Sequence, residues 1–577
     1  MTLSATYTTL LGGAFHFNLF SYRLYLFFGN YSKKYCETGQ GHFVSACVVQ
    51  NSEQLLLLRR KLLLSDSLAC SCDCRAFIMA EGSARQSMTQ FWEEHSRAAT
   101  VEEMMLDSSG RVLSEEEKPE IINMLPSIDG QRVLELGAGI GRFTGHLAKL
   151  ASQVTAVDFM QNFLDKNQAD NGQRGNITFL QADVAQLELP RDSFDFIFSN
   201  WLFMYLTDSE LVQLTQRMMG WLRPGGYLFF RESCFFQSGD SKRSFNPTVY
   251  RKPAQYNHLL TSVVHARDAE NSYGFEIVMS KSVQTYIKLK GNQNQVCWLL
   301  QSVPRDRSAN QGYETFQQFL DNNQYSRRGI LRYEKIFGPG FVSTGGLETT
   351  KEFVAMLDLR PGQKVIDVGC GIGGGDFYMA KEHGVQVLGM DLSSNMVEIA
   401  MERAVEENTP LVQFEIGDAT KRVFPENSFH VVYSRDTILH IADKGALFRR
   451  FYSWLKPGGR LLITDYCCGE KPWSGVFEEY VKLRGYILYT PQEYGKFLEK
   501  VGFVNVRAVD RTAQFIEVLN TELRRTQEMK EAFTQEFSED DYLYIIEGWK
   551  EKLHRCSLGD QRWGLFYAEK PLDIMSV

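Results

Sequence analysis

Residues 365–375 read "VIDVGCGIGGG" and residues 133–142 read "VLELGAGIGR": in each a short apolar run, an acid two places before the first glycine, then glycines at alternate positions. Aligning the two turns brings much more of the chain into register. Gly137 falls on Gly369, Asp158 on Asp391, Asp183 on Asp418, Ser199 on Ser434, Pro224 on Pro457 and Glu232 on Asp465, at separations that stay between 232 and 235 residues. A chance likeness at a glycine turn would not hold register so far past it, so one domain is present twice.

Each copy alternates short apolar runs with longer stretches of helical periodicity. The runs are "RVLELG", "QVTAVD", "ITFLQAD", "FDFIFS" and "GYLFFRE" in the first copy, and "KVIDVG", "VQVLGMD", "VQFEIGD", "FHVVYS" and "GRLLITD" in the second. Such runs predict parallel sheets covered on both faces, an α/β doubly wound, Rossmann-like fold. "YGFEIVMSKSVQTYIKLK" and "QVCWLLQSV" predict a closing β pair for the first copy. The polar stretch 306–315 reads as a linker, with domains over 79–305 and 316–577.

At 577 residues the chain exceeds what one core can organise. A net charge of -8 without a long Lys/Arg run argues against nucleic acid and membrane surfaces, which leaves small molecules as partners. The eleven cysteines form no paired CxxC framework, as expected of a reducing compartment. "CSCDC" at 70–74 lacks a nearby fourth ligand, so no metal is expected there. The apolar segment 15–28 is interrupted by His16, Asn18 and Arg23 and is shorter than the ~20 residues a bilayer requires. Composition turns charged and periodic at Met79, and residues 1–78 read as an extension outside the folded protein. The expectation is a cytoplasmic monomer without integral membrane association.

Glycine turns of this kind serve dinucleotides, adenosylmethionine and plain tight turns alike. Their context separates the possibilities. Glu135 and Asp367 precede the turns, Asp158 and Asp391 end the next strands, and Asp183 and Asp418 end the strands after those. Three carboxylates at three strand ends suit a ligand with an ammonium, a ribose diol and an adenine amino group, and suit a pyrophosphate badly. Gly137, Gly139 and Gly141, with Gly369 and Gly371, let the backbone approach that ligand closely. This arrangement, with the "PGG" turn before each fifth strand, resembles the class I S-adenosylmethionine-dependent methyltransferases; a nicotinamide dehydrogenase is the competing reading.

The copies diverge after the fourth strand, where "SNWLFMYL" stands opposite "SRDTILHI". Asn200, Trp201 and Tyr205 align with Arg435, Asp436 and His440, so the acceptor pockets differ. Asp436 and His440 are four apart and share a face if a helix begins there; a carboxylate beside a histidine can orient an ammonium and take its proton. Tyr466, Tyr480, Arg484 and Tyr486 read as an Arg fork among phenolic donors, suited to phosphate. Arg243, Tyr250 and Arg251 are the weaker phosphate candidates of the first copy.

From Met79 onward the chain resembles tandem phosphoethanolamine N-methyltransferases. The resemblance rests on "FWEEHS", "MMLD", "FSNWLFMYL" and "FFRESCF" in the first copy, and on "FLDNNQYSRRGILRYEKIFGPGFVSTGG", "YSRDTILHI" and "QRWGLF" in the second. It implies that Tyr325 and His440 form a catalytic pair with Asp436 holding the amine. It also implies that Tyr333 joins the phosphate group of residues, and that Ile372, Val342 and Ser343 line the cofactor or substrate pocket. Asn200 and Arg435 go with the cofactor residues, and Trp201, Tyr205, Tyr250 and Arg251 with the substrate of the first copy. Single-domain relatives carry a lysine in the C-terminal phosphate shell, and "RWGLFYAEK" puts Tyr567 at that place. The family assigns the first methylation to the first copy and the later two to the second. Two alternatives stay open: one copy is a non-catalytic cofactor-binding module, or the acceptor is a sterol or quinone.

Overall fold

The computed structural model describes residues 86–95, 97–241, 245–268, 271–305 and 316–572. The extension over 1–78, the linker over 306–315 and Arg243 lie outside the described residues.

The first copy contains β1 (Arg132–Leu136), β2 (Gln153–Asp158), β3 (Ile177–Gln181), β4 (Phe194–Asn200), β5 (Leu222–Ser233), β6 (Val264–Ala266), β7 (Ser272–Ser282) and β8 (Gln295–Pro304). The second contains β9 (Lys364–Val368), β10 (Gln386–Asp391), β11 (Val412–Gly417), β12 (Phe429–Arg435), β13 (Leu455–Cys468), β14 (Val504–Asp510) and β15 (Gln561–Glu569). In both β1 and β9 every residue after the first is buried, as a central parallel strand with helices on both faces requires. β1 pairs in parallel with β2 and β4, and β9 with β10 and β12.

The closing pairs are antiparallel, β8 lying between β5 and β7, and β15 between β13 and β14. The expected strand pairing of "QTYIKLK" is corrected: Gln284–Lys290 is a helix. The Glu120 carboxylate accepts the first N–H groups, from Gln284 at 2.6 Å and Thr285 at 2.9 Å, and Gly291 ends the helix in the left-handed region.

The expected pair of sheets is in fact one. β7 pairs antiparallel with β11 through Lys281–Glu415, Ser280–Ile416 and Met279–Gly417, giving the order β14-β15-β13-β12-β9-β10-β11-β7-β8-β5-β4-β1-β2-β3, with β6 attached to β7. Polar contacts reinforce the junction. Trp298 Nε1 donates to Asn257 Oδ1 at 2.8 Å, and Asn257 Nδ2 donates to Glu398 Oε1 at 2.9 Å. Burial lifts the Glu398 carboxyl to about 8. Glu402 receives both Lys252 from the first copy and Arg327 from the second, at 2.9 and 2.5 Å.

Candidate functional site

Each glycine turn leaves its strand tip and enters a helix. Gly139 and Gly371 sit at φ +53° and +55°, and their N–H groups donate to Asp158 Oδ2 at 2.8 Å and Asp391 Oδ2 at 3.0 Å. The other oxygen of each acid accepts the N–H of Met160 or Ser393, both at 2.9 Å. Burial raises both carboxyls to about 6, with these N–H bonds pulling the other way. A Cβ on Gly139 would fall 1.9 Å from Met104 Cε, and one on Gly371 2.6 Å from Val342 Cγ2. A side chain at either left-handed position would be strained and would press on the covering segment.

In the second copy the cradle opens into a cavity of about 490 Å³ lined by Asp367, Gly369, Gly371, Asp391 and Asp418, with Val342, Ser343 and Arg435 on its walls. The Asp367 carboxyl is buried against that of Asp376, and its Oδ1 receives no amide, alcohol or cationic donor among the described residues. Burial lifts this carboxyl to about 8 against the pull of Arg435, and a cationic ligand would restore its charge. A buried acid over a glycine cradle fits the amino end of S-adenosylmethionine. Asp418 holds Thr420 N at 2.8 Å and Thr420 Oγ1 at 2.6 Å through one oxygen. Arg435 donates to Thr344 O at 2.7 Å and to the hydroxyls of Thr349, Thr350 and Thr464, so it props the wall through these bonds.

A second cavity of about 420 Å³ shares Tyr325, Val342, Met396 and Asp436 with the first. Tyr466, Tyr480, Arg484 and Tyr486 line it, as the sequence pattern groups them, and so does Tyr333, which the resemblance adds. Asp436 and His440 do not lie on an α-helix. Asp436 is left-handed at φ +51°, and Ile438–His440 is a single 3-10 turn; both side chains nevertheless face the cofactor cavity. Asp436 Oδ1 accepts Trp563 Nε1 at 2.8 Å and Thr464 Oγ1 at 3.0 Å, and Oδ2 accepts Thr344 N at 3.2 Å. Tyr325 Oη stands 3.5 Å from His440 Nε2. Burial, helped by Lys444 and Arg484, lowers His440 to about 4, so the imidazole is neutral near pH 7.

Tyr567 is not the replacement for a lysine. Its hydroxyl donates to Glu569 at 2.5 Å on β15, away from the cavity. Lys552 occupies the pocket instead, with Arg555, from the helix Glu539–Ser557. Burial lowers Lys552 to about 8, and its ammonium lies 4.0 Å from the Trp549 ring centre. Tyr544, Gly548, Lys552 and Arg555 recur at helical spacing, the one signal that marked this face. Ile372 lies beneath the cradle, fully buried against Ile330, Met396 and Ile399, and lines neither cavity.

The first copy encloses a smaller cavity of about 150 Å³, lined by Gly137, Asp158, Asp183, Asn200, Trp201, Tyr205 and Tyr250. Met88, Trp92 and Met104 cover it. Trp201, at φ +56°, donates its indole N–H to Gln295 Oε1 at 2.7 Å, while the Arg231 guanidinium lies 3.7 Å over its ring. Glu117, fully buried, receives both Arg231 and Arg142 behind it. Besides Gly139, which lies under Met104, three expected site residues do not line this cavity. Glu135 accepts Thr144 Oγ1 at 2.5 Å and is lifted to about 8 by burial. Gly141 packs against Asn167. Arg251, 1% exposed, donates to Asp208 Oδ1, Phe203 O and Leu206 O at 2.8, 3.0 and 2.6 Å, which makes it a brace beneath the pocket rather than a phosphate ligand.

Fold and site define a protein with two methyltransferase domains, and a family model described as "Methyltransferase domain" matches residues 133–226 and 365–459. Phosphoethanolamine N-methyltransferase 3 of Arabidopsis thaliana is 54% identical over 492 residues, covering 85% of this chain and 99% of that protein. Phosphoethanolamine N-methyltransferase of Plasmodium falciparum is 43% identical over 255 residues, 44% of this chain and 95% of that one. Among solved structures, Haemonchus contortus phosphoethanolamine N-methyltransferase 2, in complex with phosphomonomethylethanolamine and S-adenosylhomocysteine, superposes with a TM-score of 0.66 at 27% identity, covering 80% of this chain and 99% of that one. The chain belongs to the phosphoethanolamine N-methyltransferase family.

Proposed function

We propose that this chain, a phosphoethanolamine N-methyltransferase using S-adenosylmethionine, divides its work between halves: 79–305 makes the first methylation and 316–577 the later two, ending at phosphocholine. The observation that carries the division is the contrast at aligned positions, Trp201 and Tyr205 against Asp436 and His440.

S-adenosylmethionine supplies an electrophilic sulfonium methyl group. The acceptor nitrogen must present a lone pair, and an alkylammonium of pKa near 10.4 has fewer than about one molecule in a thousand deprotonated at pH 7, a penalty of roughly 4–5 kcal/mol. Tyr325 and neutral His440 are within reach of each other to take that proton, and Asp436 orients the amine. Arg484, Lys552 and the surrounding tyrosines anchor the phosphate end, so the nitrogen returns to one place as methyl groups accumulate. Glycines 369 and 371 with Asp367, Asp391 and Asp418 hold the donor in the second half. In the first half Gly137, Asp158 and Asp183 do so.

No helix among the described residues is long and apolar enough to cross a membrane, and all six cysteines described are free and buried. Free, buried thiols are what a reducing compartment would keep, which supports the cytoplasm as the place of action in this reading.

The test uses the full chain with Asp158→Ala or Asp391→Ala, each assayed with phosphoethanolamine and with its mono- and dimethylated forms. Asp158→Ala is expected to lose only the first step and Asp391→Ala only the later two. Equal losses on all three substrates in either variant would remove the division.

A further inference from the structure

The first half lacks a carboxylate where the second has Asp436, because Trp201 stands there. The two halves keep the same hydrogen bond with its ends exchanged. In the second half the indole of Trp563 on β15 donates to Asp436; in the first, Trp201 donates to Gln295 on β8, the strand that corresponds to β15. Since Ser233 pairs with Gln295 and Tyr466 with Trp563, the positions are equivalent. The exchange preserves the strand-end bond but withdraws the amine-holding acid from the first cavity.

We infer that Asp107, with Asn200, holds the ammonium group of phosphoethanolamine in the first half. Asp107 belongs to the "MMLD" stretch of the covering segment. The helix Val101–Met105 ends at Leu106 in the left-handed region, which turns Asp107 inward to 2% exposure. Its Oδ1 accepts Ser109 N at 2.8 Å and Lys290 Nζ at 2.9 Å, fixing the carboxylate plane. Its Oδ2 has no hydrogen-bond partner among the described residues, and the residue lines the cavity. Asn200 Oδ1, on the strand tip of β4, is likewise buried without such a partner and belongs to a residue lining the same cavity.

Two buried acceptors without donors in one pocket call for a ligand that brings N–H groups. A primary ammonium brings three, and each methyl added removes one. The first site therefore holds the unmethylated substrate best and weakens on its product. The second half has Arg435, engaged with threonines, at the place of Asn200, and lacks this pair of acceptors. The competing ligand is the amino end of the methyl donor, which also carries an ammonium.

This inference rests on the first half performing the first methylation. Asp107→Asn in the full chain is nearly isosteric and keeps the acceptor for Ser109. It is expected to raise the KM for phosphoethanolamine about tenfold or more, to leave kcat/KM for phosphomonomethylethanolamine within about twofold, and to leave S-adenosylhomocysteine affinity and stoichiometry unchanged by titration calorimetry. Asp107→Glu, which keeps the charge, is expected to lie closer to the unaltered chain than Asp107→Asn does. An unchanged KM for phosphoethanolamine overturns the inference. Weakened S-adenosylhomocysteine binding with an unchanged phosphoethanolamine KM at saturating donor also overturns it, and assigns Asp107 to the donor. His440→Ala run alongside separates the premises. If that variant stops phosphoethanolamine turnover, the division of labour fails and this inference with it; if both variants turn over phosphoethanolamine normally, only Asp107 is removed.

Discussion

Trp201 and Asp436 occupy the same backbone position, φ +56° and +51°, one residue beyond the tip of an equivalent strand, and each receives support from the neighbouring strand: Trp201 N donates to Arg231 O at 2.8 Å and Asp436 N to Thr464 O at 2.7 Å. The backbone is conserved between the halves while the side chain changes from an indole to a carboxylate. A strained residue at a strand's carboxyl end is where α/β folds place ligand chemistry, and here it separates two acceptor pockets built on one frame.

His440→Ala is expected to reduce conversion of phosphomonomethylethanolamine by about 10²–10³-fold in kcat, the range for losing a positioned proton acceptor, with phosphoethanolamine monomethylation retained. Steady-state assays on each phosphobase check this. A loss confined to KM would instead make His440 a binding residue.

If Lys552 anchors phosphate as proposed, it gives that anchor a pH dependence. Its pKa is lowered to about 8 by burial, so it is charged below that pH and loses charge above it. The phosphate monoester becomes a dianion above pH ~6. For the second-half substrates, kcat/KM is expected to hold between these limits and to fall above pH 8. Lys552→Met should raise KM about 10–100-fold and remove the alkaline limb, as a pH profile of both proteins would reveal.

Glu398 makes the junction between the halves sensitive to pH. Its carboxyl is raised from 4.5 to about 8, chiefly by burial, so the folded state binds the proton more tightly than the unfolded chain. The stability it contributes is complete below pH 4.5 and is lost as pH rises towards 8. Glu398→Gln keeps an oxygen for the Asn257 amide without any charge, and should raise Tm at pH 8 by about 2–4 °C while leaving Tm near pH 5 unchanged. Calorimetric melts at the two pH values test it.

Arg251→Met should act on folding and not on phosphate affinity. Removing the guanidinium leaves the Phe203 and Leu206 carbonyls without that donor in a buried setting, a cost of about 2–4 kcal/mol. Urea unfolding should register the loss, while the KM for phosphoethanolamine measured below the transition stays near that of the unaltered chain.

Periodicity and register made the sheet legible. Parallel strands buried on both faces read as unbroken apolar runs, and six paired landmarks placed the strand tips with Asp158, Asp391 and the residues after β4. The grouping of Tyr480, Arg484 and Tyr486 about one cavity was also readable, because they lie close together in the chain. Residues brought in from afar were hidden. Lys552 sits on a helix whose exposed and inward faces both carry charge, so its role depends on how that helix packs. Asp107 points inward only because Leu106 adopts a left-handed turn, which nothing in its residue type announces. Arg251 was misread for the converse reason: an arginine bonded to main-chain carbonyls looks, in one dimension, like an arginine waiting for a phosphate. The seam between β7 and β11 was invisible because edge pairing is satisfied mostly by main-chain groups.

That seam changes what the molecule exposes. Two separate sheets of this topology would have β7 and β11 as free rims with unsatisfied amides and carbonyls, the kind of border along which proteins stick to copies of themselves. Here each half serves as the other's bumper, leaving β3 and β14 at the outer margins. A protease nick between the halves would therefore be tolerated as long as the fragments stay together, and prying them apart should lead to self-association before it leads to unfolding.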